Sequence, residues 1–313
     1  MLWATFGTAA VGLSSYAIAT RWTEVSHGLR SIGPVRAAGS VPLLLAALLC
    51  GMFSWRAVLR NLGSPLPAID GGRIYFVGQL GKYIPGSVLP ILAQMQLGKK
   101  YGIPRKRSAV ALVSAILVGL ITAIIVIAVA VPWLTERHRV ELRWLLLAVP
   151  FAIALLNPTA MWAILGRIPR LRFEDRMGPA LSVRGLGVPL AWAAVSWIFY
   201  GLHIFLLASA FHAFGGASLF VVSVGGYALA WCAGMVAFML PAGAGARDVT
   251  LVFALATQLP VGAAVAVAVV SRALTTGCDL GLAALAAVEL RSASADAPVL
   301  ASKEEERTSL IKV

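Results

Sequence analysis

The 313-residue chain is 59% apolar and only 12% charged, with a mean hydropathy of +0.86, whereas an ordinary soluble domain is about one quarter charged. That balance excludes a water-soluble fold, and the net charge of +13 does not argue for nucleic acid, because Lys and Arg sit in short turns between apolar runs and not in an aromatic-rich basic groove. Most of the length is needed to cross a bilayer, which leaves one membrane domain, residues 1–290, and a polar tail, residues 291–313.

Crossing about 30 Å of hydrocarbon takes about 20 mostly apolar residues. Met1 to Thr20 carries no charged side chain; it lacks the basic region of a secretory signal and reads as a retained first helix. Ala37 to Trp55 is the next uncharged run. The stretch GGRIYFVGQLGKYIPGSVLPILAQMQLG, from Gly71 to Gly98, is interrupted by Gly and Pro and reads as a half-helix, a break and a second half-helix. A basic turn follows with Lys99, Lys100, Arg105, Lys106 and Arg107, then spans over Ser108 to Thr135 and Trp144 to Gly166. A second basic loop holds Arg167, Arg170, Arg172, Arg176 and Arg184. Gly185 to Ala246 has room for two helices, with Ala213-Phe214-Gly215-Gly216 as the break between them. MLPAGAGARDVTLVFALATQLP, from Met239 to Pro260, is a second Gly/Pro-broken segment, and a last apolar run from Pro260 to Val288 contains Arg272 and Asp279. The tail from Arg291 is too polar to bury a core and is expected to be disordered.

The expected fold is therefore all-α: a polytopic membrane bundle of about seven or eight spans with two broken segments, which are either re-entrant or ordinary connections. The two basic loops fall on one side, which the positive-inside rule makes cytoplasmic. Cys50, Cys232 and Cys278 all lie within apolar runs and form no disulfide framework. The scattered histidines show no metal-ligand spacing, so neither a metal site nor any other cofactor is expected.

Non-helical backbone at membrane depth is tolerated only where protein or a wet cavity satisfies it, so paired broken segments point to a binding site. In the first, Lys82 and Tyr83 precede Pro85 and Gly86, placing a cation beside the exposed N–H groups of the next half-helix; an anion site and simple interfacial snorkelling both fit. In the second, Gly243 and Gly245 free the backbone before Arg247, whose planar fork suits a phosphate. Asp248 either joins that site or serves as a first-turn acid favoured by the helix dipole. Arg272 and Asp279 are two helical turns apart on one face, and an intramembrane Arg must turn inward, to a cavity or to a structural ion pair. Ser196, Tyr200 and His203 share one helical face, as an interhelical seam or the wall of a groove. No motif for nucleotide binding, nucleophilic catalysis or paired-carboxylate chemistry is present, so an enzyme is not expected.

Trp55-Arg56 followed by GQLGKYIPGSVLP and a basic turn resembles the signature of the flippase-like membrane domain of lysylphosphatidylglycerol synthases and their stand-alone relatives. PAGAGARD resembles that family's later Pro-Gly-rich motif, with Asp248 where Glu is common, and Arg272 resembles an Arg of its last helix. The resemblance implies a bundle of seven or eight helices that moves lipid or lipid-linked head groups between leaflets, without the soluble aminoacyl transferase domain. Ser87 to Pro90 departs from the family pattern in lacking an acid after the first Pro-Gly.

Three functions follow as expectations. The first is a translocase or binder of an anionic phospholipid or polyprenyl-linked saccharide in the cell membrane, with Lys82, Tyr83, Pro85, Gly86, Gly243, Gly245, Arg247, Asp248, Arg272 and Asp279 along its path. The alternatives are a non-catalytic accessory subunit of a glycosyltransferase or envelope-assembly complex, and an intramembrane lipid-phosphate or glycolipid enzyme.

Overall fold

The computed structural model describes residues 22–84, 89–133, 150, 183–211, 216–237 and 241–311, with side chains placed up to Val288. Eight helices make up the described chain: α1 (Trp22–Asn61), α2 (Ala68–Gln79), α3 (Leu89–Lys100), α4 (Arg105–Ala130), α5 (Val183–Ala208), α6 (Ala217–Val236), α7 (Ala246–Leu255) and α8 (Val261–Ile311). Among the described residues five of them, α1, α4, α5, α6 and α8, are long and apolar enough to cross a membrane. The protein is a multi-pass helical membrane bundle. The expected spans at Met1 to Thr20 and Trp144 to Gly166, and the loop from Arg167 to Arg184, lie outside the residues described with side chains.

α1 is two helices joined at Gly33, whose φ of +64° is non-helical. Pro34 lacks an N–H and disfavours a helical residue before it, so glycine takes the left-handed turn there.

α1 and α5 are the most extensively packed pair, and they run antiparallel. Between apolar helices in lipid, the attraction comes from close packing and hydrogen bonds and not from apolar burial as such. Ser54 Oγ donates to the Pro189 carbonyl at 2.8 Å, and Ser196 Oγ to the Ala47 carbonyl at 3.0 Å. Asn61 Nδ2 donates to the Gly185 carbonyl at 2.5 Å. That carbonyl would ordinarily accept from the residue four places on, which is Pro189 and has no N–H. Asn61 thus replaces a bond that the sequence of α5 removes. His203 completes this seam, its Nδ1 3.4 Å from the Ser40 carbonyl and its Nε2 3.0 Å from Ser271 Oγ on α8.

Glycines bring other helices into near backbone contact. A side-chain carbon on Gly225 of α6 would stand 2.1 Å from Ala130 Cβ of α4, and one on Gly201 of α5 would stand 2.1 Å from Val224 Cγ2 of α6.

α2 and α3, of 12 residues each, are about 18 Å long, too short to cross about 30 Å of hydrocarbon. They pack against one another as a hairpin. Its entry and exit lie on one side, because Arg107, just beyond α3, donates to the Gly63 carbonyl and to Ser64 Oγ, just before α2, both at 3.1 Å. The first broken segment is re-entrant.

That side also carries the Lys99–Arg107 turn and, through the Asn61–Gly185 bond, the start of α5. The opposite side holds Trp133 and Gln258, whose Nε2 lies 3.5 Å from the Trp133 carbonyl. α7, of 10 residues, is about 15 Å long and is also a half-helix; it packs against α6 and α8. α8 starts beside Gln258 and crosses to the basic side, so the tail leaves on the face of the basic turns. The helix is drawn as far as Ile311. Its Ala, Leu, Glu, Lys and Arg residues are good helix formers that propagate a helix already nucleated in the membrane, without needing a core of their own.

Candidate functional site: a polar chamber where the two broken segments meet

The two breaks come together. The 3-10 turn Leu80–Tyr83 at the tip of the first hairpin contacts the 3-10 turn Pro241–Gly243 of the second segment, and both border one cavity of about 260 Å³. Each tip is shaped by backbone that only small residues allow. Gly243, at φ +67°, lies so close to Gly234 of α6 that a side-chain carbon would stand 2.6 Å from the Gly234 Cα. A side-chain carbon on Gly81 would likewise stand 2.5 Å from the Pro90 nitrogen, and its absence lets α3 return alongside the tip.

Lys82, Tyr83, Gly243, Arg247, Arg272 and Asp279 all line this cavity. Asp279 of α8 is the hub: its Oδ2 is 2.6 Å from Lys82 Nζ and accepts the Tyr83 hydroxyl at 2.6 Å. A carboxylate almost fully buried in a membrane bundle must be paired, and one oxygen here serves two donors on the hairpin tip. The ion pair therefore ties the first broken segment to α8. Arg272, two turns earlier, donates to the Ala242 carbonyl at 3.1 Å and so ties the second broken segment to the same helix.

Arg247 opens α7 at the edge of the chamber. Its guanidinium donates to the Tyr227 hydroxyl and lies over the Tyr227 ring, 4.7 Å from the centroid. Tyr227 in turn stacks on Tyr200 at 4.5 Å and 20°. Aromatic faces hold an arginine without neutralising it, which fixes the fork and leaves its charge to act on the cavity.

Asp248 and Gly245 are placed differently. The Gly245 N–H donates to Asp248 Oδ2 at 3.1 Å, closing the first turn of α7, and neither residue lines the cavity. Of the two readings of Asp248, the geometry is that of the helix-terminal acid. Pro85 and Gly86 lie outside the described residues.

Of the remaining wall, Ser196 and Tyr200 were legible in the sequence as a candidate groove face and the rest was not. Trp197 and Trp231 meet edge to face at 5.3 Å, and with Tyr75, Tyr200 and Gln79 they supply the side facing the cations. Tyr227 and Arg247 are 20 residues apart and on different helices, so no helical spacing relates them. Ser196 both bonds α1 and borders the cavity, so the seam and the groove wall are one surface. Among the described residues no three His, Cys, Asp or Glu side chains converge as metal ligands.

A family model described as the lysylphosphatidylglycerol synthase TM region matches residues 6–281. The chain belongs to that family. The match covers both broken segments, the chamber and α8 through Asp279, so the chamber is a feature of the lysylphosphatidylglycerol synthase transmembrane region as this chain builds it. No curated protein and no solved structure matches the chain.

Proposed function

We propose that this protein carries the head group of an anionic phospholipid or polyprenyl-linked saccharide across the cell membrane, through the chamber between its two broken segments, without catalysing a reaction. The observation that carries this reading is the convergence of Lys82, Arg247 and Arg272 on one intramembrane cavity at two interrupted helices.

Moving an isolated ion from water into hydrocarbon costs, in the idealised limit, on the order of 20 kcal/mol. Fixed cations and wall hydroxyls can replace the lost hydration, provided they are held in place before the head group arrives. Here Tyr227 holds Arg247, the Ala242 carbonyl orients Arg272, and Asp279 orients Lys82. Thr275 and Thr276 add hydroxyls to the lining. The apolar chains of the lipid remain in the bilayer while the head group exchanges water for this lining.

Membership of a lipid-handling family supports the reading. The commitment of Asp279 to Lys82 and Tyr83 also favours transport over hydrolysis, which ordinarily needs a second acid or base beside the first. The test is reconstitution in liposomes with a head-group-labelled phosphatidylglycerol and, separately, a labelled polyprenyl-phosphate sugar, reading the fraction bleached by an impermeant reductant. Transbilayer movement that Arg247→Ala and Lys82→Ala each suppress supports the proposal. Absence of movement with both lipids defeats it.

A further inference from the structure

We propose that the head group this chamber takes is a single sugar ring joined to its lipid through a phosphate, with the phosphate at the cationic end and the ring against Trp231 and its neighbours. The proposal rests on the reading of the chamber as a head-group site and narrows the two lipid classes named there to one.

The chamber has two unlike sides. Lys82 and Arg247 stand where the broken segments meet, and Trp197, Trp231, Tyr75 and Gln79 face them. The indoles are fixed before any ligand arrives. Trp197 Nε1 donates to Thr122 Oγ1 of α4 at 2.9 Å, and the Trp197 and Trp231 rings meet at 5.3 Å and 71°. Trp231 also lies against Gly119 of α4, where a side-chain carbon would stand 3.4 Å from the indole. Trp197 is itself part of the core; Trp231 is part-buried, packs on that core and borders the cavity.

Ser54, Ser196 and Gln79 border the cavity with these rings. The two hydroxyls already donate, Ser54 to the Pro189 carbonyl and Ser196 to the Ala47 carbonyl. A hydroxyl whose proton is committed keeps lone pairs for a donor from elsewhere, and the Gln79 primary amide can both donate and accept.

A sugar matches both features. Its ring has an apolar C–H face that packs on the negative face of an aromatic ring, and a rim of hydroxyls that donate and accept. The glycerol of a phospholipid has hydroxyls but no ring face. An ammonium also binds aromatic faces, but it accepts no hydrogen bond and so leaves the Gln79 N–H groups unanswered. Among the described residues the carboxylate bordering the cavity is Asp279, which serves Lys82 and Tyr83 on the other side. At about 260 Å³ the chamber lies just below the range of about 300–1,000 Å³ for drug-sized ligands, which suits a phosphate with one sugar and not an oligosaccharide.

The test uses the full chain in micelles of a sugar-free polyoxyethylene detergent, titrated calorimetrically. The probes are citronellyl phosphate esterified with glucose, the same phosphate esterified with methanol, dioctanoyl phosphatidylglycerol, dioctanoyl phosphatidylcholine and free glucose 1-phosphate. The two citronellyl diesters carry the same charge, so their difference reads the sugar alone. The glucosyl diester is expected to bind about tenfold more tightly than the methyl diester, the scale of a good aromatic contact, and more tightly than either phospholipid. Trp231→Ala should erase the difference between the two diesters, and Trp231→Phe should keep most of it. Gln79→Leu should narrow it as well, and stands in should loss of the indole prevent folding. Lys82→Ala should weaken both diesters by the same factor. Equal affinity for the two diesters, or a Trp231→Ala loss shared equally between them, would overturn the proposal. Tighter binding of phosphatidylcholine than of the glucosyl lipid would also overturn it, by assigning the aromatic side to an ammonium. Glucose 1-phosphate is expected to bind more weakly than the glucosyl lipid; equal or tighter binding would overturn the lipid assignment. Sugar-selective binding with no transbilayer movement would defeat the translocase reading alone, and equal movement of both diesters would defeat this proposal alone.

Discussion

Asp279→Asn isolates the contact that joins the first broken segment to α8. The substitution keeps the size of the side chain and an oxygen that can accept the Tyr83 hydroxyl, a bond worth about 1 kcal/mol net. What it removes is the charge facing Lys82 Nζ at 2.6 Å. Stripping one partner from a fully buried pair costs about 3–5 kcal/mol, because the other charge is left uncompensated. The pair here is asymmetric: the Asp279 side chain is 3% exposed, but that of Lys82 is 29% exposed and faces the cavity. Partial solvation of the ammonium brings the expected loss toward about 2–3 kcal/mol. Lys82→Met removes the stranded charge, so the double variant should recover most of it, with a coupling of about 2 kcal/mol in the double-mutant cycle. Equilibrium unfolding in mixed micelles, read by loss of helical ellipticity, measures all four corners. A coupling of no more than a few tenths of a kcal/mol, the scale of an exposed pair, would refute the reasoning.

Other outcomes are fixed by particular contacts. Tyr227→Phe keeps the ring under Arg247 but removes the hydroxyl that accepts from it; the protein should lose about 1.5–3 kcal/mol in the same unfolding assay, the range for a hydrogen bond to a charged group, and transbilayer movement in liposomes should slow. Asn61→Ala should cost about 1 kcal/mol by removing its bond to the Gly185 carbonyl, and adding Pro189→Ala, which restores the helical N–H, should return part of it in the same unfolding assay. Gly225→Ala drives a methyl against Ala130 Cβ and should destabilise by about 1–3 kcal/mol, the range for overpacking. Asp248→Ala should cost about 1 kcal/mol as a lost helix-terminal contact and leave head-group affinity unchanged, since the residue turns toward Gly245 and away from the cavity.

The membrane class and the positions of the broken segments were readable from sequence because lipid imposes a strict rule: a run of apolar residues spans, and Gly or Pro within it needs a structural reason. The boundaries of α4, α5 and α6 follow the uncharged runs for the same cause. What the pattern could not convey is which residues face one another. Tyr83 and Asp279 are 196 residues apart, and the bond between them depends on a hairpin tip meeting α8. Asp248 illustrates the opposite limit, since a carboxylate three residues into a half-helix has a local partner and a distant one, and spacing alone does not choose. The aromatic wall was hidden for another reason. Trp197 and Trp231 lie in uniformly apolar helices, where aromatic residues that border a cavity and those that pack a core look alike.

The most direct test of a path through the chamber is to fasten the tip of the first broken segment to α8. Tyr83 and Thr276 both line the chamber, so cysteines at both positions, in a chain lacking Cys50, Cys232 and Cys278, can be joined by a short reducible bis-thiosulfonate linker. The account predicts that transbilayer movement of labelled lipid stops when the linker is in place and resumes on reduction, with neither single-cysteine chain responding to linker or reductant. Movement that continues at the unlinked rate while the hairpin tip is joined to α8 would contradict it.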